Sequence, residues 1–326
     1  MDQIITSLLS LPNPVIQYKV RLLVLEDDPF SDAMRELQQV MRGSELVRQL
    51  LCERDEKGKI QLDPYKKWNG AHWVLNALSD LFYPPGDENL QALAEQDYEW
   101  ILSGHRMHWV TRNTKMARGN QTRACGSMEG ATLFSMIRLG FLDERCDQLA
   151  ERLLAWQWPD GGWNCVSNPD ARNSSFMETL LPLRALSLYS RVASDPVPAR
   201  AAERAADVFL KRQMFRAQKD GSVIDGKFLQ LHYPCYWHYD VLYGLKVMAD
   251  CGFISDPRCS EALDWLESRR LPDGGFPADA KYYHGRVKES NASLVDWGPV
   301  SSKKFNPYVT ADALYVLHAA GRYRPQ

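Results

Sequence analysis

The chain has 326 residues, 45% of them apolar and 25% charged, with a formal net charge of −2. Such a balance belongs to an ordinary folded protein and excludes a general nucleic-acid or anionic-membrane binder, which needs a basic surplus. Seven cysteines with no regular spacing and no C-x-x-C pair give no disulfide framework, and no run approaches the roughly 20 apolar residues of a membrane span.

Reduced thiols, and an N-terminus (Met1 to Leu9) without a basic segment ahead of its short apolar run, lead to the expectation of a cytoplasmic protein with no integral membrane segment. Apolar residues recur with the helical period throughout. The spacing predicts a short helix over 2–10, stopped by Pro12 and Pro14, and a second over 15–25. A third is expected over 30–53, begun by Asp28-Pro29. Beyond residue 70 two kinds of helix alternate. Segments 71–82, 129–139, 176–189, 240–251 and 309–320 are apolar nearly all round. Segments 89–102, 145–156, 199–213 and 258–269 carry one polar face. Helices buried on every side are inner, and one-faced helices are outer. A link bearing Asp joins each inner segment to its outer partner (Asp87, Asp143, Asp195, Asp256).

A Gly-bearing turn follows the outer segments. Its fullest form is Trp156 to Cys165, W-Q-W-P-D-G-G-W-N-C, in which Pro159 ends the helix and Trp158 and Trp163 bracket a tight turn at Asp160-Gly161-Gly162. Leu271 to Phe276, Lys219 to Val223 and Asp55 to Lys59 repeat it with decreasing fidelity. A turn repeated after successive helices implies a repeat architecture. With 15–25 as the first of six inner helices, five outer partners follow, and helix 2–10 is free to act as the sixth. The expectation is a single domain over 1–326: an all-α (α/α)6 toroid closed by its N-terminal helix, so that the chain ends meet.

The run Q-W-P-D-G-G-W at 157–163 resembles the QW repeat of the terpenoid cyclase / protein prenyltransferase superfamily, which includes squalene–hopene cyclase, and Leu271 to Phe276 resembles a weaker copy. N-S-S-F-M-E-T-L at 173–180 and L-H-Y-P-C-Y-W-H-Y-D-V-L at 231–242 are similar to a bacterial group labelled as prenyltransferase or squalene-oxidase repeat proteins. The resemblance implies the toroid. It carries little chemistry, because the repeat is structural.

In such a ring the first turns of the inner helices line a central cavity. Aligning the inner segments on their apolar runs places His72, Glu178, Asp240 and Asp312 at one register position, with Glu129 at the start of the remaining segment. Acidic residues suit helix N-termini for dipole reasons alone, so the plain alternative for these groups is capping, and for His72 a hydrogen-bonded core position. The densest stretch is His232 to Asp240. Read as a helix, it turns His238 and Asp240 apart and sets Trp237 on the face of Asp240. The catalytic candidates are therefore Glu178 or Asp240 as proton donor, tuned by His72 and His238, with Glu129 nearby. Trp163, His232, Tyr236, Trp237, Tyr239, Arg123 and Asp312 are candidates for contact with substrate, and an aromatic wall also stabilises a carbocation. Segment 105–123, read as a basic loop over the mouth, carries Arg106, Arg112, Lys115, Arg118 and Arg123. Segment 277–308, with Tyr282, Tyr283, His284, Arg286 and Trp297, is the second expected lid.

The D-x-D-D acid of class II terpene cyclases, the D-D-x-x-D magnesium motif and the D-x-C zinc pair of protein prenyltransferases are all missing. Zinc ligation by Cys165, Cys235, His232 or Asp240 has no spacing signature, and no metal or cofactor is expected. Three readings follow: a terpenoid-cyclase-like enzyme doing acid–base chemistry on an isoprenoid or other apolar substrate, a polysaccharide lyase or glycoside hydrolase on a toroid, or a non-catalytic binding scaffold. The partner is accordingly a small molecule or an oligosaccharide.

Overall fold

The computed structural model describes residues 2–117, 121–285 and 291–325. Among them the protein is all-helical; strand-like pairing is confined to isolated bridges such as Arg54 with Ile60. In chain order the helices are α1 (Gln3–Leu9), α2 (Pro14–Leu23), α3 (Asp32–Arg42), α4 (Glu45–Leu50), α5 (Ala71–Asp80), α6 (Gln91–Ile101) and α7 (Gly104–Met116). There follow α8 (Gly126–Leu139), α9 (Glu144–Trp156), α10 (Phe176–Ala193), α11 (Pro196–Leu210), α12 (Val241–Asp250), α13 (Ser260–Ser268) and α14 (Pro307–Ala319). No described helix is long and apolar enough to cross a membrane.

Two expectations need correcting. The helix expected over 30–53 is two helices, because Ser44 accepts from the Val47 N–H and caps a fresh start at Glu45. The basic segment 105–123 is not a loop over most of its length. Ser103 caps α7, whose side chains Arg106, Val110 and Asn113 point into the protein. Arg118 lies outside the described residues.

Local chemistry explains the remaining boundaries. Each linking Asp is an N-cap: Asp87, Asp143, Asp195 and Asp256 accept from the N–H groups of Asn89, Arg145, Val197 and Arg258. The recurring turns share one hydrogen-bond frame. The N–H of Trp158 bonds the Gly162 carbonyl while the Gly161 N–H returns to Trp158; Leu271, Gly275 and Gly274 do the same, as do Asp55, Lys59 and Gly58. The copy at Ala217 to Ser222 is one residue longer. In all four the closing glycine has positive φ (Gly58, Gly161, Gly221 and Gly274).

α5, α8, α10, α12, α14 and α2 pack in that succession, each against the next. α6 lies against α5, α9 against α8, α11 against α10 and α13 against α12, while both α1 and α3 lie against α2. The ends of the described chain meet where the Tyr323 hydroxyl donates to Asp2 at 2.6 Å. The clasp at 156–165 ties these layers. Gln157 donates to the Gly161 carbonyl at 2.7 Å and to Ala201 of α11 at 2.8 Å, and the Trp163 indole donates to Leu153 of α9 at 3.0 Å.

Candidate functional site

α2, α10, α12 and α14 each carry a buried charge within a largely apolar helix, and these charges meet around Asp80 of α5. Lys19 of α2 pairs with Asp312 of α14. Lys246 of α12 donates to Asp312 at 3.0 Å and to Asp80 of α5 at 2.8 Å. Arg184 of α10 donates to Asp80 at 2.9 Å and to Asp250 at 2.8 Å, its guanidinium lying 4.0 Å from the centre of the Phe134 ring of α8. Burial alone would raise the Asp80 carboxyl, but Lys246, Arg184 and Lys19 hold it far below the usual range. Burial lowers Lys19 despite its Asp312 partner. Sequence reasoning passed over Lys19, Asp80, Arg184 and Lys246. The available signal was a charge inside a largely apolar helix.

Above this ionic floor lies a cavity walled by Tyr233, Tyr236, Tyr243 and Trp297, with His232 and Asp240 in its lining. Space open to the centre of a water molecule is about 30 Å³, enough for roughly two waters. Asp240 is the N-cap of α12 and accepts from the Tyr243 N–H at 2.8 Å through one oxygen. Its other oxygen accepts from the His232 N–H at 2.8 Å, lies 3.3 Å from His232 Nδ1 and accepts from the Cys235 thiol at 3.4 Å. Residues 232–240 precede α12 and are not helical, so Trp237 and Asp240 share no helix face as a helical reading expects; His238 Nδ1 donates to the Cys235 carbonyl at 3.1 Å. Asp240 instead partners the imidazole eight residues earlier, so His232, expected only to touch substrate, holds the geometry of an acid–base group. Tyr282, from the second expected lid, stacks between His232 (4.1 Å) and His238 (3.6 Å), and Trp237 stacks on the far side of His238 at 3.9 Å. Arg286 of that segment lies outside the described residues.

Glu178 belongs to a different network and does not line this cavity. One oxygen accepts from Ser127 N–H (3.1 Å) and hydroxyl (2.8 Å); the other accepts from the Cys165 thiol at 3.2 Å. Burial raises its carboxyl above the ordinary value, against the opposing hydrogen bonds from Ser127. The common register expected for His72, Glu178, Asp240 and Asp312 therefore fails. Asn306 and Pro307 start α14 earlier than its apolar run suggests, which sends Asp312 into the ionic floor.

The other candidates are structural in their contacts. His72 Nδ1 is 3.1 Å from Asp97, whose second oxygen accepts from the Thr132 hydroxyl at 2.9 Å. His72 Nε2 is buried without a partner among the described residues. Glu129 is fully buried and accepts from Arg106 at 3.0 Å. Arg123 is fully buried with its guanidinium 4.4 Å from the centre of the Trp158 ring, and so faces no open groove. Tyr239 sits in a cluster with Phe176, Phe209 and Phe228, donating to the Met214 carbonyl at 2.7 Å. Trp163 is buried in its clasp against Gly126.

A scan against protein-family models finds no match to this chain, and neither does a comparison with curated proteins.

Proposed function

We propose that the chain is an (α/α)6 toroid closed by α1, and that its central cavity houses acid–base chemistry on an isoprenoid or other apolar substrate. Support for the ring comes from the unbroken succession of six inner helices, each but α14 followed by an outer partner. Lys19, Lys246 and Asp312 also each stand five residues past the first residue of α2, α12 and α14, an equal offset that supports this reading.

The observation that carries the chemistry is the His232–Asp240 pair in an aromatic-walled cavity. A carboxylate at Nδ1 orients an imidazole, leaving Nε2 to take or return a proton. Asp80 is a poor proton donor because its neighbours hold it ionised. The small free space suits a short substrate, or the reacting end of a longer one, rather than a long isoprenoid folded on itself. The reaction class is a proton-transfer isomerisation or elimination. The reading of the cavity as a scaffold has its own support in the ionic floor that fills the centre. Lyase or hydrolase action on a sugar loses its footing with Arg123 buried under Trp158.

The test is deuterium uptake from D₂O into apolar metabolites offered to the purified protein. Wild type should label one class of compound, and His232→Gln should slow labelling by roughly 10²–10⁴-fold with KM little changed. Wild-type rates in both His232→Gln and Asp240→Asn would remove the proposed pair. No labelling by wild type would leave the scaffold reading.

A further inference from the structure

Cys125, Cys165 and Glu178 each offer one ligand atom within 4.8 Å of the other two, and they arrive from three separate segments. Cys125 is the residue before α8, Cys165 ends the clasp, and Glu178 lies in the first turn of α10. We propose that these three residues form a binding site for a thiophilic divalent cation of the zinc class. The site is separate from the His232–Asp240 pair and does not depend on it.

The spacing suits the chemistry. A tetrahedral zinc with Zn–S near 2.3 Å and Zn–O near 2.0 Å holds sulfur and oxygen ligands about 3.5 Å apart; Cys165 Sγ and Glu178 Oε1 are 3.2 Å apart. Glu178 is oriented as a monodentate ligand, because Ser127 occupies its second oxygen through both N–H and hydroxyl. Both cysteine backbones are pinned from α7: Arg106 donates to the Cys125 carbonyl at 3.3 Å and Asn113 to the Cys165 carbonyl at 2.6 Å. A cation of this class takes the two cysteines as thiolates, their protons passing to solvent, together with the Glu178 carboxylate. Arg106, close to Cys125 and Glu178, offsets part of the negative charge. Three protein ligands leave one position for water or a substrate atom, the pattern of zinc sites that act on ligands rather than only hold a fold.

Cobalt(II) is the probe. Reduced, chelator-treated full-length protein should take up one equivalent, develop thiolate-to-cobalt charge-transfer absorption with tetrahedral visible bands, and lose both on adding zinc(II). Cys165→Ser should about halve the charge-transfer absorption and weaken cobalt binding at least tenfold; Cys52→Ser, at an exposed thiol elsewhere, should change neither. Should Cys165→Ser lose its helical circular dichroism, Glu178→Gln is the second variant, and it should weaken binding without reducing the sulfur band. Absence of the band at saturating cobalt would overturn the proposal. So would equal binding by Cys165→Ser and wild type, or a Cys125–Cys165 disulfide as the only modification found with no cobalt uptake after reduction.

Discussion

At the scale of single residues, three imidazoles with the same intrinsic chemistry are set to different tasks by what touches them. His232 faces a carboxylate and a cavity, and His72 is locked between Asp97 and packed rings. His238 sits between Trp237 and Tyr282, and burial pushes its pKa down to about 4, against the hydrogen bond to Cys235. A depressed histidine is neutral in the folded protein and must be protonated at a cost. Its contribution to stability is full above the unfolded value of 6.5 and is lost as pH falls from there through about 4. The loss attributable to His238 should be about 1–3 kcal/mol, the partly exposed ring taking the lower part of that range. His238→Phe keeps the stack and removes the titration. In urea melts of both proteins at a series of pH values, wild type should lose about 1–3 kcal/mol more than the variant as pH falls from 6.5 to 4. Parallel curves would mean that His238 is charged or solvated in the fold.

At the scale of elements, the repeated turn shows how one local frame can be used at different packing densities. Gly161 and Gly221 both have positive φ, so an added Cβ strains either by about 1–2 kcal/mol. Beyond that they differ. A Cβ at Gly161 would stand 2.2 Å from the Arg204 carbonyl oxygen of α11, whereas one at Gly221 meets nothing within 4 Å. Gly161→Ala should therefore cost about 3 kcal/mol or more by urea denaturation, and Gly221→Ala only the backbone share. Equal costs would mean that the turn at 158–162 is not pressed against α11. Features of this kind were legible in the sequence because they are local. Pro159, the Asp-bearing links and the buried and polar faces of the helices each follow from neighbours within a few residues. What was not legible depends on cooperation at a distance. The register of Asp312 hangs on the Asn306 cap, α7 was hidden by its run of basic side chains, and the pairing of Asp240 with His232 runs through an irregular segment. Cys125 and Cys165 are brought together only by the clasp and the start of α8.

At the scale of the whole molecule, a network of paired charges is set among apolar helices. Lys19, Arg184 and Lys246 face Asp80, Asp250 and Asp312, so cations and anions balance across helices that are otherwise apolar. Buried pairs are weak sources of stability, since desolvation offsets their attraction, but breaking one leaves a charge stranded. Parity of charge should therefore matter more than any single bond. Asp80→Asn removes one of three anions while Lys246 and Arg184 remain, and should cost about 2–4 kcal/mol, Asp80 itself keeping some contact with solvent. Adding Lys246→Met to that variant restores balance, leaving Lys19 on Asp312 and Arg184 on Asp250. The double variant should then be more stable than the sum of the two single losses by at least about 1 kcal/mol in a double-mutant cycle. Strict additivity would mean that each side chain acts through its own packing, and that the ionic floor is a set of independent contacts rather than one neutralised unit.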